Sequence, residues 1–158
     1  MEYLGSKNMS VTFFGHRHMD NLKNIEEKLV PVLRKIMLEN SYVEFYIGRN
    51  GEFDECVASI IKRVQKEVDR NNSSLILVLP YTVADIEYYA KYYDEIIISE
   101  KSYKSHPKAA ITVRNRWMID NSDIVIVNVE RKTGGAYKSM LYAQKTGKSI
   151  WNMCENLI

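Results

Sequence analysis

The sequence contains little of what marks several protein classes. It has only two cysteines, Cys56 and Cys154, and neither has metal-ligating partners at a useful spacing, so we interpret both as free buried thiols. Its three prolines and seven glycines are too few for a collagen-like or low-complexity chain. No apolar run approaches the roughly 18 to 20 residues that a membrane-spanning helix needs. These absences exclude disulfide-stapled, fibrous and membrane-spanning proteins.

An excess of charge of one sign is also missing. The chain has 22 lysines and arginines against 20 acidic residues, which gives a formal net charge of +2. It also lacks a long basic stripe with interleaved aromatic residues, so we do not expect nucleic acid among its partners. The segment 1–8 is polar and has no signal-peptide apolar region, so we expect a cytoplasmic protein without membrane association.

What the sequence does contain is a regular alternation of short apolar runs with longer stretches of helical period. This pattern predicts an α/β fold, a three-layer Rossmann-like sandwich with a mainly parallel sheet of about six strands. One domain over residues 1–158 accounts for the whole chain. The predicted strands are Ser10–Phe14, Tyr42–Ile47, Ser74–Leu79, Glu95–Ile98, Asp123–Val129 and Ser149–Met153. The predicted helices are Asn21–Glu39, with a kink or later start at Pro31, Asp54–Asp69, Asp85–Tyr92, Pro107–Asn121 and Gly135–Lys145.

Glycine-containing, cationic loops follow three of the predicted strands. Ligands of open parallel sheets bind at the carboxyl ends of the strands, where these loops should converge. Glycines allow close backbone approach, and a following helix offers unpaired N–H groups, so the loops favour an anion such as phosphate. Thr133-Gly134-Gly135 is the best candidate and Gly48-Arg49-Asn50-Gly51 the next, although neither is a Walker A or GxGxxG motif. The candidate ligand contacts in the loops are Gly15, His16, Arg17, Gly48, Arg49, Gly51, Phe53, Asp54, Thr133, Gly134 and Gly135.

Several candidates have a structural interpretation beside the functional one. Arg17 either contacts phosphate or is a surface charge, and His16 either contacts the ligand or fills its loop. Arg114 either reaches the sheet edge or lies in solvent with its stem on Trp117. The tyrosines at positions 88, 89, 92 and 93 are better interpreted as core packing or an oligomer contact than as a base-stacking surface. No pattern supports a metal site, a bound cofactor or a nucleophilic triad.

In order and spacing, these segments resemble the YpsA-like branch of the SLOG superfamily. The resemblance rests on the segments 11–17, 48–54 and 114–120 with Asp123, and on Thr133-Gly134-Gly135 followed by a helix with Ala143, and it spans Ser10 to Asn152. It implies a Rossmann-like fold shared with the Lonely Guy phosphoribohydrolases and the DprA DNA-processing proteins. It also implies that Gly15, Arg17, Gly48, Phe53, Asp54, Arg114, Thr133, Gly134 and Gly135 surround a nucleotide or nucleotide-sugar pocket.

One departure from the family pattern bears on catalysis. In the phosphoribohydrolases the motif Pro-Gly-Gly-x-Gly-Thr-x-x-Glu supplies a glutamate for N-glycosidic bond cleavage. Alignment on the double glycine puts Leu141 at the glutamate, and leucine cannot act as an acid or base. We therefore expect binding or sensing of a nucleotide or an ADP-ribose- or NAD-like ligand. The alternatives are a nucleotide N-glycosidase that uses Asp54 or Glu52 and, ranked last, binding of single-stranded DNA. A homo-oligomer is left open.

Overall fold

A computed structural model of the protein describes residues 8–49, 51–99, 104 and 106–154. Asn50 of the predicted second loop and most of the N-terminal segment lie outside these residues. Six strands alternate with five helices in the described part of the chain. The strands are β1 (Asn8–Gly15), β2 (Tyr42–Ile47), β3 (Ser73–Leu79), β4 (Glu95–Ile98), β5 (Ile124–Asn128) and β6 (Ser149–Asn152). The helices are α1 (Leu22–Glu39), α2 (Glu52–Val68), α3 (Ile86–Tyr92), α4 (Pro107–Asp120) and α5 (Gly134–Lys145).

All strand pairs of the sheet are parallel, in the order β4-β3-β2-β1-β5-β6. The chain therefore builds one half of the sheet outward from β1 and then returns to the other side of β1 to form β5. β1 pairs with β2 from Asn8↔Tyr42 onward and with β5 up to Gly15↔Asn128. The switch in strand order thus lies between β1 and β5, and a ligand crevice opens beyond the carboxyl ends of such strands.

Two apolar cores cover the two faces of the sheet and produce the three layers. On one face α1 and α2 pack on alternate strand residues such as Phe13, Phe45 and Leu77. On the other face α4 and α5 pack on the intervening residues, among them Ile76 and Val127. Because strand side chains alternate between faces, a strand buried on both sides reads as an unbroken apolar run. The predicted three-layer Rossmann-like sandwich with a parallel sheet is confirmed.

The predicted elements are present, with corrections at their ends. The first helix is continuous from Leu22 to Glu39 and contains Pro31, so the alternative of a later start is wrong. Asn21 caps it, since its side chain accepts a hydrogen bond from the Asn24 N–H. Pro31 lies on the exposed side of the helix. The second helix begins at Glu52 rather than Asp54, directly after Gly51. No helix in the described residues is long and apolar enough to span a membrane.

Candidate functional site

A cavity of about 400 Å³ opens at the carboxyl edge of the sheet, beyond the ends of the paired strands β1 and β5. Its walls come from the loop after β1, the start of α2, the middle of α4 and the loop before α5. The lining residues are Phe14, Gly15, His16, Arg17, His18, Gly51, Phe53, Asp54, Ile111, Arg114, Asn115, Arg131, Thr133, Gly134, Gly135 and Ala136. A cavity of this size is in the range of small-ligand pockets.

Most residues predicted for the ligand site lie together around this cavity. The predicted residues that line it are Gly15, His16, Arg17, Gly51, Phe53, Asp54, Arg114, Thr133, Gly134 and Gly135. Three predicted residues do not line it. Glu52 instead faces His18, whose Nδ1 lies 3.2 Å from Glu52 Oε1. Gly48 lies against the side chains of Arg114 and Asp54, which line the cavity. Arg49 is directed toward Tyr89. The catalytic role of Glu52 and the ligand contacts of Gly48 and Arg49 stay predictions.

Some residues of the cavity were not predicted, although they share a helix or a loop with predicted ones. On α4, Ile111 lies three residues before Arg114 and four before Asn115, so helical spacing from Ile111 connects the three positions. Arg131 follows β5 in the loop that contains Gly134 and Gly135, and it is not among the predicted site residues. Position after a strand end is therefore the signal that would have identified it.

The glycines of the first two loops pack the walls of the cavity. A Cβ at Gly15 would lie 2.5 Å from Cδ1 of the buried Phe53 ring. A Cβ at Gly51 would lie 2.8 Å from Cα of Arg17. At Gly51 the two loops are joined by a hydrogen bond from the Glu52 N–H to the Arg17 carbonyl oxygen, at 3.0 Å. These glycines are required because other segments approach them closely.

The loop before α5 is open by contrast. A Cβ at Gly134 or Gly135 would meet no atom within 4 Å, and Gly134 has a φ of +90° that favours glycine. The Thr133 side chain makes no capping hydrogen bond, and the first turn of α5 carries no acidic residue. The first N–H groups of a helix lack partners within the helix. This end of α5 therefore presents donors and a positive dipole end to the cavity.

His16 connects the loop after β1 to the loop after β5. Its Nε2 accepts hydrogen bonds from the backbone N–H groups of Glu130 at 3.1 Å and of Arg131 at 3.2 Å. Accepting both bonds requires an unprotonated Nε2. Burial of His16 lowers its pKa, and the charge of Arg131 lowers it further. His16 thus fills and fixes the loop, which is the structural interpretation left open by the sequence.

Arg114 is a buried cation in the cavity wall. The residue is 3% exposed, so the interpretation as a solvated arginine is wrong. Its Nη1 donates to the Val78 carbonyl oxygen and its Nε donates to Asn115 Oδ1, each at 2.8 Å. Burial lowers the pKa of Arg114, while nearby Asp54 counteracts that effect. These contacts hold a guanidinium at the cavity that an anion could neutralise.

Cationic side chains outnumber acidic ones around the cavity. Among the described residues, three arginines, Arg17, Arg114 and Arg131, line it against a single carboxylate, Asp54. Arg17 and Arg131 are exposed at the rim, although Arg131 also lies 3.8 Å from Glu130. Of the two carboxylates proposed for a catalytic role, only Asp54 lines the cavity. Leu141 is 41% exposed and lies outside the lining.

Comparison with known proteins yields a structural relative. No family model matches the sequence, and no curated protein matches it. The fold is similar to DNA processing protein A from Helicobacter pylori, whose structure is described for its unique single-stranded DNA binding mode. The two chains are 17% identical, with a TM-score of 0.61 over 90% of this chain. This chain covers 63% of the length of that one.

The likeness supports the Rossmann-like fold that the resemblance implied. DNA processing protein A is among the proteins that the SLOG resemblance named as sharing the Rossmann-like fold. At 17% identity the likeness carries the fold alone. The assignment to the YpsA-like branch is not confirmed by it.

The comparison corrects the ligand expected from the sequence. A nucleotide or ADP-ribose-like ligand was the main prediction and nucleic acid was not expected, whereas the similar structure is described for binding single-stranded DNA. Both predictions are therefore wrong, and the alternative ranked last is the better supported one. The sequence has no continuous basic stripe, but the fold gathers Arg17, Arg114 and Arg131 from three separate segments.

Proposed function

We propose that this chain binds single-stranded DNA at the carboxyl edge of its sheet. In this proposal a phosphate of the strand lies at the N-terminus of α5, beside Gly134 and Gly135. Arg17 and Arg131 at the rim contact the neighbouring phosphates. The proposal also places the chain in the SLOG superfamily, and it is supported by the order of the segments from Gly15 to Gly135.

The observation that carries this proposal is the surplus of cations beside an uncapped helix N-terminus. In the part of the chain that the structure describes, the cavity has three arginines against one aspartate, and the first turn of α5 contributes no carboxylate. Both features attract a negatively charged group, and phosphates dominate the affinity of nucleic-acid complexes. In the cavity wall, a hydrogen bond to the Val78 carbonyl oxygen fixes the guanidinium of Arg114. At the start of α5, the space beside Gly135 is open and can accept a phosphate.

A strand, rather than only a single phosphate group, suits the rim of the cavity. Arg17, Arg131 and Lys132 are exposed, and they belong to two loops on opposite sides of the switch point. A polyanion that crosses the cavity can contact both loops in succession. The fold of DNA processing protein A, described for binding single-stranded DNA, lends further support.

Fluorescence anisotropy with a labelled oligothymidylate of about 20 nucleotides tests the proposal, since common site sizes reach about 16 nucleotides. We expect binding at low salt that weakens as salt rises, because each phosphate contact contributes about 0.7 to the logarithmic salt slope of single strands. Arg17→Gln and Arg131→Gln should each lower the affinity severalfold and reduce that slope. Both side chains are exposed, so neither change should disturb the fold.

The matched control is Lys35→Gln, which removes an exposed cation from the second half of α1. That part of the helix approaches the start of β2, at the opposite edge of the sheet from the cavity. The control should bind as the unmodified chain does. The proposal is contradicted if no oligonucleotide binds at low salt, or if the two arginine variants lose no more affinity than Lys35→Gln.

A further inference from the structure

Arg49 is part of a predicted phosphate loop, yet its side chain is directed away from the cavity. Its guanidinium carbon lies 5.3 Å from the centroid of the Tyr89 ring. Its Nη1 donates a hydrogen bond to the Tyr89 hydroxyl oxygen at 3.3 Å. A guanidinium held against an aromatic ring is an arrangement suited to stacking with a nucleic-acid base.

The tyrosines of the α3 segment fall into an inward pair and an outward pair. Tyr93 is buried and Tyr89 half-buried, while Tyr88 and Tyr92 are exposed. Tyr88 is 70% exposed, more than any other large hydrophobic residue in the described part of the chain. Its ring contacts Tyr89 edge-on, at 5.4 Å between centroids and an interplanar angle of 80°. With this perpendicular contact, much of the Tyr88 ring stays exposed.

This aromatic surface lies at the same carboxyl edge of the sheet as the cavity. Arg49 follows β2 and Tyr81 follows β3, and these strands are parallel neighbours in the sheet. Both side chains lie within electrostatic range of the buried Arg114 guanidinium in the cavity wall. Tyr81 is also exposed. On the side of β2, the order of the strands places Arg49 first, then Tyr81, and then the tyrosines of α3.

The charges of the segment favour bases over phosphates as the groups bound. Asp85, the N-terminal cap of α3, and Glu87 in its first turn are exposed. These two acidic residues balance the positive charges of Arg49 and Lys91, so the surface has no net positive charge to attract phosphates. What it offers is ring surface with one arginine beside it. Bases stack on such surfaces largely without regard to sequence, since every base has a π-face.

We infer that Arg49, Tyr88 and Tyr89, named here the tyrosine platform, stack the bases of a single strand whose phosphates occupy the cavity. This inference rests on the proposed function and adds a base-binding subsite to it. A second copy of this chain is the competing occupant, because exposed tyrosines also favour protein contacts. The arginine against Tyr89 and the continuity with the cationic cavity favour nucleic acid.

The test compares Tyr88→Ala with Tyr88→Phe on two probes of equal length. One probe is an oligothymidylate, and the other is an oligomer of abasic sites with the same phosphates. The unmodified chain should bind the thymidylate about 5-fold or more tightly than the abasic oligomer, the effect of stacking one base. Tyr88→Ala should lose this preference, and Tyr88→Phe should restore it because the ring is kept.

Tyr42→Ala serves as the matched control, since Tyr42 is an exposed tyrosine at the start of β2, at the opposite edge. It should keep the full preference for bases. If the unmodified chain binds neither probe, the proposed function itself fails. If it binds both but Tyr88→Ala keeps the preference, the platform alone is overturned. A loss of self-association in Tyr88→Ala with unchanged DNA affinity, seen by sedimentation, would also overturn it and assign the surface to a second copy.

Discussion

Two glycine-bearing loops precede helices at the same edge of the sheet, and they differ in what their glycines do. Before α2, Gly51 lies against the backbone of Arg17, and Phe53 in the first turn fills the space that Gly15 leaves. Before α5, a Cβ added at Gly134 or Gly135 would have no atom within 4 Å. The first loop closes the fold, and the second leaves an opening.

The two helix ends also differ in charge. The first turn of α2 carries Glu52, Asp54 and Glu55, which complement the positive end of its own dipole. The first turn of α5 carries no acidic residue. A helix end that is already neutralised has little to offer an anion, whereas one without carboxylates does. A glycine followed by a helix is thus insufficient to identify a phosphate site. The identification also requires that the glycine is open to solvent and that the first turn of the helix carries no acidic residue.

The largest expected effect is on stability, from Gly15→Ala. The new methyl group would overlap the Phe53 ring, which is buried and cannot move without disturbing the α2 face of the core. We expect a loss of about 1–3 kcal/mol in the free energy of unfolding, as for other overpacked sites. Urea denaturation monitored by circular dichroism measures it.

Gly135→Ala is the matched substitution in the open loop. It places a methyl group in free space at the start of a helix, and φ at Gly135 is not in the left-handed region. The free energy of unfolding should change by no more than about 0.5 kcal/mol. Equal destabilisation by the two substitutions would remove the distinction between a closed and an open glycine loop.

A smaller effect is expected from the titration of His16, which ties the two sides of the cavity together. Burial, followed by the charge of Arg131, lowers the pKa of His16 in the folded protein. The unfolded chain therefore binds a proton at higher pH than the folded one does. The stabilisation is complete above the ordinary histidine pKa of about 6.5 and is lost as pH falls through the folded value.

The measurement is the free energy of unfolding against pH for the unmodified chain and for His16→Gln. His18 and His106 are present in both, so the difference between the two curves isolates His16. We expect the unmodified chain to lose more stability below about pH 6.5. Parallel curves would show that the two hydrogen bonds to Nε2 do not depend on a neutral imidazole.

The sheet and most of the cavity were predictable because they depend on local pattern. Runs such as Leu75–Leu79 of β3 contain no polar residue, and the topology of parallel sheets brings their carboxyl ends to one edge. The sequence could not show which glycines are enclosed, since the neighbours of Gly15 and Gly51 come from other segments. The direction of Arg49 depends on Tyr89 in α3, which is distant in sequence. The surplus of positive charge at the cavity could not be predicted from the composition either, because Arg17, Arg114 and Arg131 come from different segments of the chain.

The most direct test of the open loop as the phosphate site is the affinity of Gly135→Glu for the oligothymidylate, with Gly135→Gln as its uncharged match. Glutamate reproduces at α5 the acidic first turn of α2, so it should stabilise the fold by about 0.3–1 kcal/mol. The same carboxylate would face the bound phosphate, and we expect an affinity about 10-fold or more below that of Gly135→Gln. Equal affinities of the two variants would contradict phosphate binding at this helix end.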